Sequence, residues 1–249
     1  MSRPMTASTS VCTSAATDPQ YGGSHSAVQH GRAKRRASAF TLLTAILSFF
    51  LMTFPFAASA SRPLRVVALG DSLTAGYMLP QDAAFPVQLE KALKAQGVAV
   101  EIQNAGVSGD TASQGLERLD WSVPDGTDAV IVELGANDAL RGVDPAVTRK
   151  ALDEIIARLK ARNIAVLLAG MYAPRNMGAD YVQAFDGIYR DLAAKHGVPL
   201  YPFFLDGIAG DRALNLQDGL HPNPQGVKVI VSRILPAVTS FLNTVKPGA

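Results

Sequence analysis

The tetrapeptide Gly70-Asp71-Ser72-Leu73 follows directly on an apolar run at residues 64–69, so a serine hydroxyl stands where a buried strand leaves its sheet. Near the other end of the chain, Asp218-Gly219-Leu220-His221-Pro222 supplies an imidazole and a carboxylate three residues apart. Serine is a poor nucleophile at neutral pH. It needs a base within hydrogen-bond reach, and a third group to hold that base in the right tautomer. Of the four histidines, His25 and His30 precede residue 60, and His196 stands before Gly197 at an expected helix end, where it complements the helix dipole. His221 is left as the base. Asp218 could simply form a turn before Gly219, but its offset also lets the carboxylate fold back onto the imidazole Nδ1–H. The reading is a serine hydrolase with Ser72 as nucleophile, His221 as base and Asp218 as the partner that orients it.

Attack on an ester carbonyl creates an oxyanion, which must meet preorganised donors. Three are available: the backbone N–H of Ser72, the N–H of Gly109 in Ser108-Gly109-Asp110, and the side-chain amide of Asn137 in Gly135-Ala136-Asn137-Asp138. Each of the last two has a plainer alternative. Gly109 could serve only to turn the chain before a helix capped by Asp110, and Asn137 could be a capping residue after a strand. Asp71, Asp110 and Asp138 read as local scaffolding. Trp121, Tyr181, Phe185 and Tyr189 read as core aromatics. No His and carboxylate cluster has metal-ligand spacing, so neither a metal nor a cofactor is expected.

Before these residues comes a segment that reads as an export leader. Arg32, Lys34, Arg35 and Arg36 form a positive patch, residues 40–58 are almost wholly apolar, and Ala58-Ser59-Ala60 is the small-x-small pattern of a signal-peptide cleavage site. Residues 1–31 lack hydrophobic periodicity and read as disordered. Cleavage after Ala60 leaves residues 61–249, the size of one domain, with no stable membrane anchor. The first 60 residues hold five of the 23 basic and one of the 21 acidic residues, so the remainder carries a net charge of −2. A nucleic-acid partner is therefore not expected. The single cysteine, Cys12, lies in the leader, which leaves no disulfide, thiol nucleophile or thiolate metal site in the rest.

The elements that must position the site alternate along residues 61–249. Five short runs rich in branched apolar residues, at 64–69, 98–102, 129–134, 164–169 and 198–201, read as strands. Between and after them lie helical faces: Leu89 and Leu93; Val147, Leu152, Ile155, Ile156 and Leu159; Tyr181, Phe185, Ile188 and Leu192; Val227, Ile230, Ile234 and Leu235. Pro86 and Pro145 sit early in such stretches, and Gly97 and Gly197 follow them. This order predicts an α/β fold, a parallel sheet covered by helices on both faces. Ligands of open α/β sheets bind beyond the carboxyl ends of the strands. Ser72, Gly109, Asn137 and the Asp218–His221 loop all fall there.

Taken in order, Gly70-Asp71-Ser72-Leu73, the Gly109 segment, Gly135-Ala136-Asn137-Asp138 and Asp218-Gly219-Leu220-His221-Pro222 resemble the four blocks of the SGNH or GDSL hydrolase family. Gly70-Asp71-Ser72-Leu73-Thr74-Ala75-Gly76-Tyr77, Ser108-Gly109-Asp110-Thr111 and Leu140-Arg141-Gly142 extend the likeness to a secreted bacterial branch with acyl-CoA thioesterase, lysophospholipase and arylesterase activities. The resemblance implies a flavodoxin-like three-layer α/β/α sandwich with a five-stranded parallel sheet. It implies the same triad, an oxyanion hole of Ser72, Gly109 and Asn137, and a segment at residues 139–143 that moves when an acyl chain binds. Ala136 departs from the pattern, since close relatives often carry a second glycine there.

The expected activity is hydrolysis of small-molecule acyl or aryl esters and thioesters through an acyl-serine intermediate. Met78, Leu79, Leu140, Met177 and Tyr181 are the residues expected to line the acyl pocket, and their apolar character favours longer acyl groups. A carbohydrate O-acetylesterase would use the same machinery with a smaller, more polar pocket. A flavodoxin-like binding module fits poorly, because the segment after the first strand lacks a phosphate-binding loop and the module would leave Asp218 and His221 without a role.

Overall fold

The computed structural model describes residues 62–248; the expected export leader and the expected cleavage after Ala60 lie outside the described residues. The chain runs β1 (Leu64–Gly70), α1 (Ser72–Ala75), α2 (Phe85–Ala95), β2 (Val100–Gly106), α3 (Ala112–Glu117), α4 (Leu119–Ser122) and β3 (Ala129–Glu133). It continues through α5 (Ala136–Leu140), α6 (Pro145–Ala161), β4 (Ala165–Ala169), α7 (Ala179–His196), β5 (Leu200–Tyr201) and α8 (Pro224–Leu242). Five parallel strands form one sheet in the order β2-β1-β3-β4-β5. The expected three-layer α/β/α sandwich is the architecture found: α2 packs with α8, and α6 packs with α3 and α7.

The central strands are buried almost throughout because helices cover both faces, which is why they read as unbroken apolar runs rather than as alternating ones. The edge strand β2 differs. It exposes Glu101, Gln103 and Asn104, and it begins and ends later than the expected run at 98–102, since half of its side chains face water. Proline at the first turn and a side-chain N-cap start both long helices nearest the site: Asp144 caps α6 and Asn223 caps α8. His196 ends α7, where its Nε2 lies 2.6 Å from Asp153 of α6.

Two expectations about packing are corrected. Val147 sits in the first turn of α6 and is exposed, so the buried face starts at Thr148 and continues through Ala151 and Leu152. Trp121 is 73% exposed, because the single turn of α4 buries Leu119 and Ser122 and points the indole outward.

The register brings the strand ends level. Gly70 of β1 pairs with Gly106 of β2 on one side and Glu133 of β3 on the other. The chain leaves β1 for β2 on one flank and returns to β3 on the opposite flank, so the strand order reverses at β1. The segments after β1 and β3 therefore diverge around a crevice, the place where open α/β sheets bind ligands.

Candidate active site

Ser72 opens α1, two residues beyond the end of β1, and is almost fully buried. The preceding Asp71 caps the helix by accepting the Leu73 N–H at 3.0 Å. From the far end of the chain, a loop closed by an Asn215–Pro222 bridge presents His221. The Leu216 N–H donates to the His221 carbonyl at 2.7 Å, and the Asn223 N–H to the Leu214 carbonyl at 2.9 Å. The loop then enters α8 at Gly226, where a side chain would meet the Leu214 carbonyl at 2.1 Å, so only glycine lets helix and loop come this close.

The three residues form a continuous hydrogen-bonded line. His221 Nε2 lies 2.9 Å from Ser72 Oγ, and His221 Nδ1 lies 2.6 Å from Asp218 Oδ2. The other oxygen of Asp218 accepts the N–H groups of Leu220 and His221 at 2.9 and 3.0 Å. Partial desolvation works to raise the Asp218 pKa, but these two N–H groups and the imidazole outweigh it and hold the carboxyl at about 2. An ionised Asp218 fixes the Nδ1–H tautomer and leaves Nε2 free to accept the serine proton.

The three expected oxyanion donors differ in state. Among the described residues, the backbone N–H groups of Ser72 and Gly109 have no hydrogen-bond acceptor. Asn137, in the first turn of α5, has both Nδ2 hydrogens engaged, one by Asp71 Oδ2 and one by the Asp110 carbonyl, each at 3.0 Å. The Asn137 amide is thus a held donor rather than an open one.

The three aspartates do more than local scaffolding. Asp71 joins the turn that carries Ser72 to Asn137, 66 residues away in sequence. Asp110 does not cap α3; Thr111 does, in a capping box with Gln114, while the Asp110 carboxylate takes Arg118 Nε at 2.6 Å. Asp138 accepts the Ala112 N–H at 2.9 Å and the Thr148 hydroxyl at 2.8 Å, tying α5 to α3 and α6.

Two buried groups that the sequence reading did not single out sit beneath the site. Arg118 donates to the carbonyls of Gly70 (2.8 Å) and Ala105 (2.9 Å) and to Ser122 Oγ (3.0 Å), so one guanidinium fastens the ends of β1 and β2 to Asp110. Glu133 ends β3, accepts the Thr74 hydroxyl at 2.7 Å and leaves its other oxygen without a partner among the described residues. Burial, and then the neighbouring Asp71, push the Glu133 carboxyl well above the usual carboxylate range. Asp71 is raised to about 6, again chiefly by burial, against the opposing pull of the Leu73 N–H and the Asn137 amide. A carboxylate closing an otherwise apolar strand was the available signal for Glu133.

Ser72, Asn137 and His221 line one cavity of 420 Å³. Its walls are mainly apolar and include Leu140, Met171, Tyr172, Phe203, Leu205 and Leu220. Tyr172 and Phe203 stack at 4.6 Å between ring centroids, with the Arg175 guanidinium 5.5 Å above the Tyr172 ring. Of the five residues expected to line an acyl pocket, only Leu140 does so. Met78 projects into solvent, 77% exposed, and Leu79 packs against the core. The Tyr181 hydroxyl donates to the Val143 carbonyl at 2.9 Å, and Met177 lies against Gly142, so both stand behind the segment after Asn137 rather than in the cavity. The cavity is built instead by the segments after β4 and β5. Ala136, the departure from the family pattern, lines it as well.

Comparison with known proteins places this arrangement. The model of the GDSL-like Lipase/Acylhydrolase family matches residues 68–229. An arylesterase of Vibrio mimicus is 40% identical over 185 residues, 74% of this chain and 90% of its own length. Thioesterase 1/protease 1/lysophospholipase L1 of Escherichia coli K12 is 39% identical over 175 residues, 70% of this chain and 82% of its own. Among solved structures, the SGNH-hydrolase family esterase AlinE4 is 44% identical with a TM-score of 0.62, covering 73% of this chain and 98% of that one. With all four sequence blocks inside or beside the crevice, and with relatives similar over nearly their whole length, this chain belongs to the GDSL-like lipase/acylhydrolase family.

Proposed function

We propose that this carboxylic ester hydrolase cleaves acyl and aryl esters and thioesters by way of an acyl-Ser72 intermediate. The observation that carries the reading is the unbroken line Asp218–His221–Ser72, with contacts of 2.6 and 2.9 Å. His221 Nε2 takes the Ser72 proton as Oγ bonds to the ester carbonyl carbon. The oxyanion then meets the Ser72 and Gly109 N–H groups and the Asn137 amide. The imidazolium returns its proton to the leaving alkoxide, phenoxide or thiolate, and the carbon–heteroatom bond breaks. Water deprotonated by the same His221 hydrolyses the acyl-serine, restoring the free hydroxyl.

The apolar, aromatic-walled cavity supports acyl or aryl groups over a polar acetylated sugar. An ester and thioester panel of graded chain length, run with a Ser72→Ala control, tests this. Acetyl esters should turn over more slowly than medium-chain and aryl esters, and a strong acetyl preference would instead favour the carbohydrate O-acetylesterase.

Export is part of the same proposal. The basic patch, the apolar stretch at residues 40–58 and Ala58-Ser59-Ala60 support a periplasmic or secreted protein of residues 61–249. Amino-terminal sequencing of the exported protein should begin at Ser61; a start upstream of residue 40 would show a retained anchor.

A further inference from the structure

We infer that Tyr77 is a positioning residue for the general base, acting through the face of its ring on the His221 imidazole. This inference rests on the Ser72–His221 reading above. The two ring centroids are 4.5 Å apart, with the planes inclined at 39°. The position of Tyr77 is set by the helix that carries the nucleophile: its N–H donates to the Ser72 carbonyl at 3.1 Å, as does that of Gly76 at 3.2 Å. Gly76 closes α1 with a φ of +80°, and a Cβ there would come within 2.7 Å of the Ala84 side chain. Glycine is required on both counts, so the turn that aims Tyr77 is fixed by the same few residues that present Ser72.

The groups around the imidazole leave a distinct place for this ring. Asp218 holds the Nδ1 edge and Ser72 Oγ the Nε2 edge, while the buried Asp71 carboxyl lies close enough to feel the charge on His221. The faces remain. Tyr77 covers one, and it is not among the residues lining the cavity that His221 borders. The Tyr77 hydroxyl makes no hydrogen bond to a described residue, so the ring itself carries the contact. An aromatic face attracts a cation, and His221 becomes a cation when it takes the serine proton. The ring also restricts rotation of the imidazole out of line with Ser72.

The test is the pH dependence of kcat and kcat/KM on a soluble chromogenic ester for the unchanged enzyme, Tyr77→Phe and Tyr77→Leu. Tyr77→Leu should lower kcat about 2- to 5-fold with KM little changed, and should lower the apparent pKa of the rising limb by about half a unit. Tyr77→Phe should match the unchanged enzyme in both. Tyr77 is 41% exposed, so its truncation empties no core site, and a thermal melt of each variant confirms the fold. An unchanged kcat and pKa in Tyr77→Leu would overturn the inference. So would a Tyr77→Phe variant as impaired as Tyr77→Leu, because the hydroxyl would then be the active feature. Turnover surviving Ser72→Ala would instead defeat the hydrolytic mechanism itself, which keeps the two failures separate.

Discussion

The Asp71 carboxylate accepts a hydrogen bond from the Asn137 amide at 3.0 Å, joining the turn that carries Ser72, the proposed nucleophile, to the turn that carries a candidate oxyanion donor. The same carboxylate caps α1, so the two roles are coupled. To serve an oxyanion, Asn137 must share or exchange one of two existing bonds. Asn137→Ala should therefore cost about 100-fold in kcat with little change in KM, the size found when one oxyanion donor is removed.

Asp71→Asn is expected to be harmful for a different reason. A second amide at this position cannot accept from both Leu73 and Asn137, and one of its faces sets donor against donor. A loss of about 10-fold in kcat and a lowered Tm are expected, since a buried donor is left unmatched. Steady-state kinetics and a thermal melt check both.

Arg118 is the buried fastening beneath the site, its side chain only 7% exposed and that of Asp110 only 11%. Arg118→Met removes the guanidinium from the buried Asp110 carboxylate and from the Ala105 carbonyl, and leaves the Gly70 carbonyl with the Val107 N–H alone. The expected cost is about 3–5 kcal/mol in urea unfolding. The double variant Arg118→Met/Asp110→Leu should recover part of it, because no lone charge remains.

Acid stability should depend on Asp128. Its carboxylate takes both terminal nitrogens of Arg62 and the N–H groups of Arg65 and Gly248, clamping the two ends of the described chain. Desolvation opposes these partners, yet they hold Asp128 at about 2, below its ordinary 3.8. A depressed folded pKa stabilises above the unfolded value and loses that contribution as pH falls from about 4 to about 2. Asp128→Asn should remove about 2 kcal/mol at pH 7 and flatten the unfolding free energy across that window.

Asp71 and Glu133 carry the opposite sign. Both are raised by burial, so the folded state favours their neutral forms, and that stabilisation is lost as pH rises from the unfolded values through the raised folded ones, about 6 for Asp71 and well above the usual carboxylate range for Glu133. Glu133→Gln should show a shallower fall in urea-unfolding free energy between pH 5 and pH 8 than the unchanged protein. An equal slope would mean that Glu133 is not held neutral.

The sheet and the line of three residues were legible because each leaves a short-range mark. The central strands are continuous apolar runs, Ser72 stands directly after one, and Asp218 and His221 share a turn. What escaped detection depends on contacts with no sequence period. Arg118 looks like a surface cation until Gly70 and Ala105 are seen to converge on it. The cavity walls come from residues 171–175 after β4 and from the segment after β5; Met177 and Tyr181 follow the first of these too closely in sequence for residue type to separate them from the lining, and Met78 and Leu79 follow Ser72 but turn away from the cavity. Tyr77 was visible as a letter in a motif, but only the fold shows its ring on His221.

The central claim is that His221 activates Ser72, and covalent trapping tests it most directly. An activated phosphonate ester should add one phosphonyl group to the peptide containing Ser72 as turnover disappears. Labelling should be slowed by orders of magnitude in His221→Ala and absent in Ser72→Ala. A phosphonyl group on any other residue, or equally rapid labelling of Ser72 without His221, would contradict it.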